Sequence, residues 1–234
     1  MTESHPNWTI LDSRVYGGEG RFSALLNVGD TQLPSIVLMH GRNSNPDGPV
    51  VGHLRRSLHT AGYTTLSLAN PLPKTGDEFA DYMGDVNGAN YVFPEAGARA
   101  KAAIRDLEQR NVAKVVLLGF SMGARLLSDF LSQRESTALP ILGFIALGIG
   151  VNGAGPLNST TTLRKVAVPV IDVYGEADAD VANSAPARKA AYESGPGKSY
   201  RQVLVKGKVP HNFAGAEAEL DRAVLDWLRS VPAK

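Results

Sequence analysis

A chain of 234 residues can bury one sizeable core, and 43% hydrophobic against 20% charged residues is the balance of a soluble globular protein. With 24 Lys and Arg against 23 Asp and Glu, the net charge of +1 supplies no field of one sign to draw in nucleic acid or an anionic membrane, so neither is expected as a partner. The absence of cysteine excludes disulfides, thiolate catalysis and cysteine metal sites.

The first residues, M-T-E-S-H-P-N-W, lack the basic and apolar regions of a signal peptide. No apolar run reaches the ~20 residues that span a bilayer. The expectation is a soluble, cytoplasmic protein, residues 1–234 forming a single α/β domain. Two alternating segments, Trp8 to Tyr16 and Arg21 to Val28, flank Gly17, Gly18 and Gly20 and predict an antiparallel hairpin. The pattern then changes to short apolar runs without alternation. These are residues 35–39, 63–68, 114–118, 141–147 and 169–174, with a weaker run at 200–205. Strands covered on both faces read this way, as in a mainly parallel sheet. Helical spacing lies between them, at 52–61, 95–110, 122–133, 185–193 and 214–228.

Residues 71–94 resist this scheme. They are long, irregular and rich in Gly, Pro, Asn and Asp, and they begin where a strand leaves the sheet. Ligands of open α/β sheets bind outside the carboxyl ends of strands, so this insertion is expected to form one wall of a pocket. Its aromatic residues, Phe79, Tyr82, Tyr91 and Phe93, either line that pocket or pin the segment to the core.

The chemistry concentrates at L-L-G-F-S-M-G-A-R, residues 117–125. A buried-looking strand stops at Gly119, and Ser121 stands between that glycine and Gly123 ahead of a helix. G-x-S-x-G in this context is a nucleophile elbow, whose turn is so tight that residues two places either side of the serine must be small. The helix amides point at the same spot, where they can stabilise developing negative charge. A serine hydroxyl needs an adjacent base held by an acid. Only one histidine follows Ser121, His211, in V-P-H-N-F between the last strand and the last helix. Asp178, in V-Y-G-E-A-D just past a strand end, is the candidate acid; Asp180 is its competitor, Asp172 lies inside the strand and Glu176 nearer the turn. For an oxyanion hole, one amide is expected from Met122, directly after the serine. The other is expected from Arg42, after the turn His40-Gly41. The Arg42 side chain is then left for a surface salt bridge or an acidic substrate group. His40 is expected to be a structural, hydrogen-bonded residue beneath the loop, and His5, His53 and His59 ordinary surface or helix residues.

H-G-R after the first buried strand, G-F-S-M-G, G-E-A-D and P-H-N-F, in this order, make the chain resemble the α/β-hydrolase superfamily from about Trp8 to Trp227. Among its small members it looks most like compact esterase-type proteins, DUF3530-like or dienelactone hydrolase-like. The latter typically carry cysteine where Ser121 stands, which argues against that specific activity. The resemblance implies an α/β-hydrolase fold: a mainly parallel sheet of about eight strands opened by the antiparallel hairpin, with helices on both faces. It implies Ser121 as nucleophile, His211 as base and Asp178 as the orienting acid, acting on a small-molecule ester or thioester with no cofactor and no metal. Only about twenty residues, from about Ile149 to Ala167, separate two strands where many relatives insert a cap, so no separate cap domain and a fairly open site are expected. An esterase for short or medium acyl groups is the leading expectation. A thioesterase or acyltransferase would use the same residues, and a catalytically silent binding protein would keep the fold without the reaction.

Overall fold

The computed structural model describes residues 7–74, 76, 78–83 and 91–231. Its centre is an eight-stranded sheet. In chain order the strands are β1 (Asn7–Asp12), β2 (Arg21–Asn27), β3 (Ser35–Met39), β4 (Thr65–Leu68), β5 (Val115–Phe120), β6 (Ile141–Leu147), β7 (Val170–Gly175) and β8 (Tyr200–Val205). The spatial order is β1-β2-β4-β3-β5-β6-β7-β8. β1 and β2 form the antiparallel hairpin, β2 pairs antiparallel with β4, and every pair from β4 to β8 is parallel.

The apolar runs without alternation have the cause the sequence suggested. In a strand successive side chains face opposite ways. Val37, Met39, Val115 and Leu117 enter one core, and Ile36, Leu38, Val116 and Leu118 enter another on the opposite face. The first core is closed by α2 (Val92–Gln109) and α3 (Met122–Ser132), the second by α1 (Pro49–Thr60) and α7 (Glu217–Ser230). Each fully buried aliphatic side chain contributes about 1.5–3 kcal/mol. Both faces are therefore needed, and neither tolerates a polar row. Among the described residues, no helix is long and apolar enough to cross a membrane.

Several boundaries differ from the sequence expectation, each for a local reason. The first strand ends at Asp12 rather than reaching Tyr16, because the Asp12 carboxylate accepts the Arg14 amide at 3.0 Å and the chain turns into a short 3-10 helix, Arg14–Tyr16. α1 starts three residues earlier than expected, at Pro49, whose missing N–H is no loss in a first turn. α2 starts at Val92 and carries Pro94 within its first turn for the same reason. α7 begins at Glu217 rather than Ala214, since Phe213 and Gly215 occupy positive φ (56° and 80°) and cannot extend a helix. Two short helices were not foreseen: α4 (Ser159–Leu163) and α5 (Ala179–Asn183). α4 follows a 3-10 turn at Gly155–Leu157, and together these are all the regular structure between β6 and β7. No separate cap stands there. The helix expected at 185–193 is α6 (Ala185–Glu193).

A buried ion pair fixes the far half of the sheet. Asp172 of β7 and Arg188 of α6 are both fully buried, with Nε to Oδ2 at 2.9 Å. The carboxylate also accepts from the Tyr200 hydroxyl at 2.8 Å and the Gln202 amide at 3.0 Å. Burial in this cluster pushes the Tyr200 phenol far above its usual range. The guanidinium in turn donates to the Val181 carbonyl at 2.7 Å and the Ser184 hydroxyl at 2.8 Å. Asp172→Ala leaves a buried guanidinium uncompensated, so it is expected to cost about 3–5 kcal/mol in urea unfolding. A loss under about 1 kcal/mol would show that water replaces the carboxylate there.

Candidate active site

β5 runs into α3 through Ser121, whose backbone (φ 53°, ψ −111°) lies outside every region that L-residues favour. Such a conformation costs on the order of 1–3 kcal/mol and persists only where the surroundings over-determine it. The Ser121 N–H donates to Leu147 of β6 at 2.8 Å, and the Ser121 carbonyl accepts from Ala124 at 3.1 Å. The two glycines are required by contact. A Cβ on Gly119 would stand 2.5 Å from the backbone N and Cα of Ala124. One on Gly123 would overlap the Met39 carbonyl oxygen at the end of β3. The serine is fenced by glycines because the first turn of α3 lies directly on two strand ends.

His211 comes from the loop after β8. That loop is pinned to the end of β7. Ala177 donates to the Val209 carbonyl at 2.9 Å, and the Glu176 carboxylate accepts the Gly207 and Lys208 amides at 2.9 and 3.0 Å. His211 Nε2 stands 2.9 Å from Ser121 Oγ, and Nδ1 stands 2.5 Å from Asp178 Oδ2. A carboxylate only accepts, so Nδ1 carries the proton and Nε2 turns a lone pair to the serine hydroxyl. The imidazole packs 5.1 Å from the Phe120 ring. Gly148, just past β6, leaves room on another side: a Cβ there would be 2.9 Å from Cε1. Phe120 and Gly148 escaped the sequence reading. The signal for the second was a glycine directly after a buried strand that neighbours the serine strand.

The four nearby acids separate cleanly. Asp178 precedes α5 but makes no capping hydrogen bond to it; its carboxylate faces His211. Asp180 sits exposed in the first turn of α5. Asp172 is held by Arg188, and Glu176 by loop amides. The backbone N–H groups of Lys208 and Gly207, donating to the Glu176 carboxylate, hold its pKa below the usual range.

Gly41 places the β3–α1 loop against Ser121, since a Cβ there would lie 3.4 Å from the serine Cβ. Arg42 follows it, and Met122 opens α3. Met122 thus directly follows the serine, and Arg42 is the residue after a loop position that packs against it. The Arg42 guanidinium stands 3.8 Å from the exposed Glu78 carboxylate, a surface pair. His40 lies beneath: Nδ1 donates to the Gly41 carbonyl at 2.7 Å, and Nε2 accepts the Asn70 amide at 3.1 Å. Burial, above all, lowers its pKa, so it stays neutral and ties the ends of β3 and β4 together. His53 bonds Asp221 of α7 at 2.9 Å; His5 lies outside the described residues.

Of the insertion 71–94, residues 75, 77 and 84–90 lie outside the described residues. Elsewhere its aromatics are anchors. Tyr82 and Phe93 are buried, Tyr91 packs on the core, and the Arg125 guanidinium covers Phe79 at 4.5 Å. Arg125, one turn after Ser121, was not foreseen as important. It donates to the carbonyls of Asn152 and Leu157 and to Asn152 Oδ1, tying α3 to the β6–α4 loop.

The family described as protein of unknown function (DUF3530) matches residues 93–230. No curated protein sequence matches the chain significantly. A dienelactone hydrolase from Anabaena variabilis superposes with a TM-score of 0.71 at 19% identity, over 97% of this chain and 99% of the other. A protein of unknown function from Agrobacterium tumefaciens reaches 0.72 at 18% identity, over 97% and 99%. The ferulic-acid-bound Est1E of Butyrivibrio proteoclasticus reaches 0.68 at 14% identity, over 92% and 96%. Likeness at such identities establishes the fold. Gly123→Ala, which forces α3 off the end of β3, is expected to lower stability by about 1–3 kcal/mol in chemical denaturation. An unchanged midpoint would mean that the elbow relaxes around the methyl group.

Proposed function

Because the chain belongs to the DUF3530 family and has the α/β-hydrolase fold, we propose that it is a serine hydrolase, a carboxylesterase working through an acyl-enzyme on Ser121. The observation that carries this reading is the relay itself, Ser121 Oγ to His211 Nε2 at 2.9 Å and Nδ1 to Asp178 at 2.5 Å. Nothing in packing alone calls for a serine strained into that position.

In the proposed cycle Ser121 Oγ attacks the ester carbonyl while His211 Nε2 takes its proton. The amides of Arg42 and Met122 receive the oxyanion, and removing one such donor typically costs ~10²–10³ in rate. The C–O bond to the alcohol breaks as His211 returns the proton to the departing oxygen. Water, deprotonated by His211, then releases the acid. Asp178 keeps the imidazole in the tautomer the first step needs and stabilises the imidazolium. With only a 3-10 turn and a five-residue helix between β6 and β7, the site stays open on that side. This suits a short or medium acyl group.

Treatment with a fluorophosphonate should give one adduct, on Ser121, detected by peptide mass spectrometry. In His211→Ala that adduct should be lost or much slowed. Folded wild-type protein that stays unlabelled would overturn the reading. Asp178→Asn should lower kcat on an activated ester by roughly 10³–10⁴, while Asp180→Asn should not approach that loss. Since the base must be neutral, the rate should fall on the acid side of the pH profile; a profile flat down to about pH 4 would remove His211 from the role.

A further inference from the structure

A cavity of about 390 Å³ is lined by Gly150, Val151, Asn152, Asp180, Asn183 and Ser184. That is the small end of the range for small-molecule sites. Its two walls are continuations of the candidate catalytic loops. One wall follows β6, whose last residue, Leu147, accepts the Ser121 amide and whose next, Gly148, lies against His211. The other is α5, which starts directly after Asp178. In the sheet order β3-β5-β6-β7, the cavity stands on the β6–β7 side of Ser121, and the Arg42 loop after β3 stands on the opposite side.

The polar groups of this cavity have a readable polarity. A guanidinium has donors only, so the Asn152 atom that meets Arg125 must be the carbonyl oxygen. The Asn152 amide nitrogen, with its two donors, is therefore the end left for the cavity. A Cβ on Gly150 would stand 2.5 Å from the same guanidinium, so the wall cannot thicken without moving that arginine. Asp180, exposed on the facing wall, offers only acceptors. Asn183 beside it can do both. The Ser184 hydroxyl is already engaged, donating to the Asp180 carbonyl at 2.7 Å and accepting from Arg188 at 2.8 Å.

Donors on one wall and acceptors on the other match hydroxyl groups, each of which gives and takes a hydrogen bond. An alkyl chain would gain contact with Val151, but it would displace water from the Asp180 carboxylate and the Asn152 amide without returning a hydrogen bond, which is costly. A cation suits Asp180 alone, because Asn152 has its side-chain oxygen engaged by Arg125 and only donors left, and that arginine's charge stands beside it. Burial pushes Arg125 down only to about 10, so it stays charged at neutral pH. The opposite charges of Asp180 and Arg125 leave the surroundings of the cavity close to neutral.

From this arrangement we infer that the cavity is the subsite for the alcohol half of the ester, and that this half is a neutral polyol or sugar. The assignment to the alcohol follows from the proton path. The departing oxygen must be reached by His211 Nε2, so the group attached to it lies on the His211 side of Ser121, and the cavity's walls start from residues on that side, Gly148 beside His211 and α5 directly after Asp178. The inference rests on the serine-hydrolase reading and deepens it.

The test compares kcat/KM for glycerol 1-acetate and methyl glucoside 6-acetate with that for n-butyl acetate and for acetylcholine. Wild type should prefer the hydroxylated esters by about 10-fold or more, the scale of one or two hydrogen bonds that involve a charged group. Asp180→Ala should reduce that preference by about 10-fold, chiefly through the KM of the hydroxylated esters, and Asp180→Asn should restore part of it. Asp180 is exposed, and thermal melting of each variant checks that the fold is intact. Equal or better turnover of butyl acetate, faster turnover of acetylcholine, or a preference unchanged by Asp180→Ala would each overturn the subsite. Fluorophosphonate labelling of Ser121 separates the two failures. A labelled enzyme without the preference loses only the subsite, and an unlabelled one loses the hydrolase reading with it.

Discussion

The backbone of Ser121 is the constraint on which the rest of the site depends. A non-glycine residue at φ 53°, ψ −111° stores strain, and three contacts hold it there. Its N–H donates to Leu147 of β6, its carbonyl accepts from Ala124 in the first turn of α3, and Gly123 lies against the end of β3 while Gly119 lies against Ala124. Two of these, the bond to Leu147 and the contact with the end of β3, come from outside the serine's own segment. Strain of this kind is stable only inside a sheet already assembled on both faces, so the two hydrophobic cores underwrite the geometry at the strand ends.

The buried charges extend that support outward. Asp172 and Arg188 sit under the carboxyl end of β7, and Arg188 reaches the Val181 carbonyl and Ser184. They thereby hold α5, the helix that Asp178 precedes and that carries Asp180. Arg125 does the same on the other wall, drawing the β6–α4 loop onto α3. Glu95 ties the hairpin to α2 through Ser13 at 3.0 Å and the Glu19 amide at 2.7 Å, and Arg99 of the same helix reaches the Ala69 carbonyl at 2.7 Å. Arg188 and Arg125 thereby fix the two walls of the cavity beside the candidate site, and Glu95 and Arg99 fix the hairpin and the end of β4.

With no separate cap between β6 and β7, the proposed esterase would choose substrates on that side by polarity more than by enclosure. The cavity between the β6 loop and α5 sets Asn152, Asp180 and Asn183 beside Val151, while the aromatic residues of the insertion are spent on packing. Tyr82 and Phe93 are buried in the core, and Phe79 lies under Arg125.

What the sequence determined by itself was whatever depends on near neighbours. Short apolar runs without alternation mark the parallel strands, buried on both faces, and the helical spacing marks what covers them. The glycine fence around Ser121 is visible because a tight turn restricts residues two places away, and the order of Ser121, Asp178 and His211 is legible for the same fold-level reason. The short helices α4 and α5 were not legible, since five residues carry no periodicity. The start of α7 was missed because positive φ at Phe213 leaves no mark in composition. Only the tertiary structure decided among the acids. Asp178 and Asp180 are two residues apart and alike in any local pattern. They differ because the loop after β8, pinned to β7, brings His211 to one of them and leaves the other facing a cavity. The roles of Arg125 and Gly148 were settled in the same way, by what strands distant in sequence place beside them.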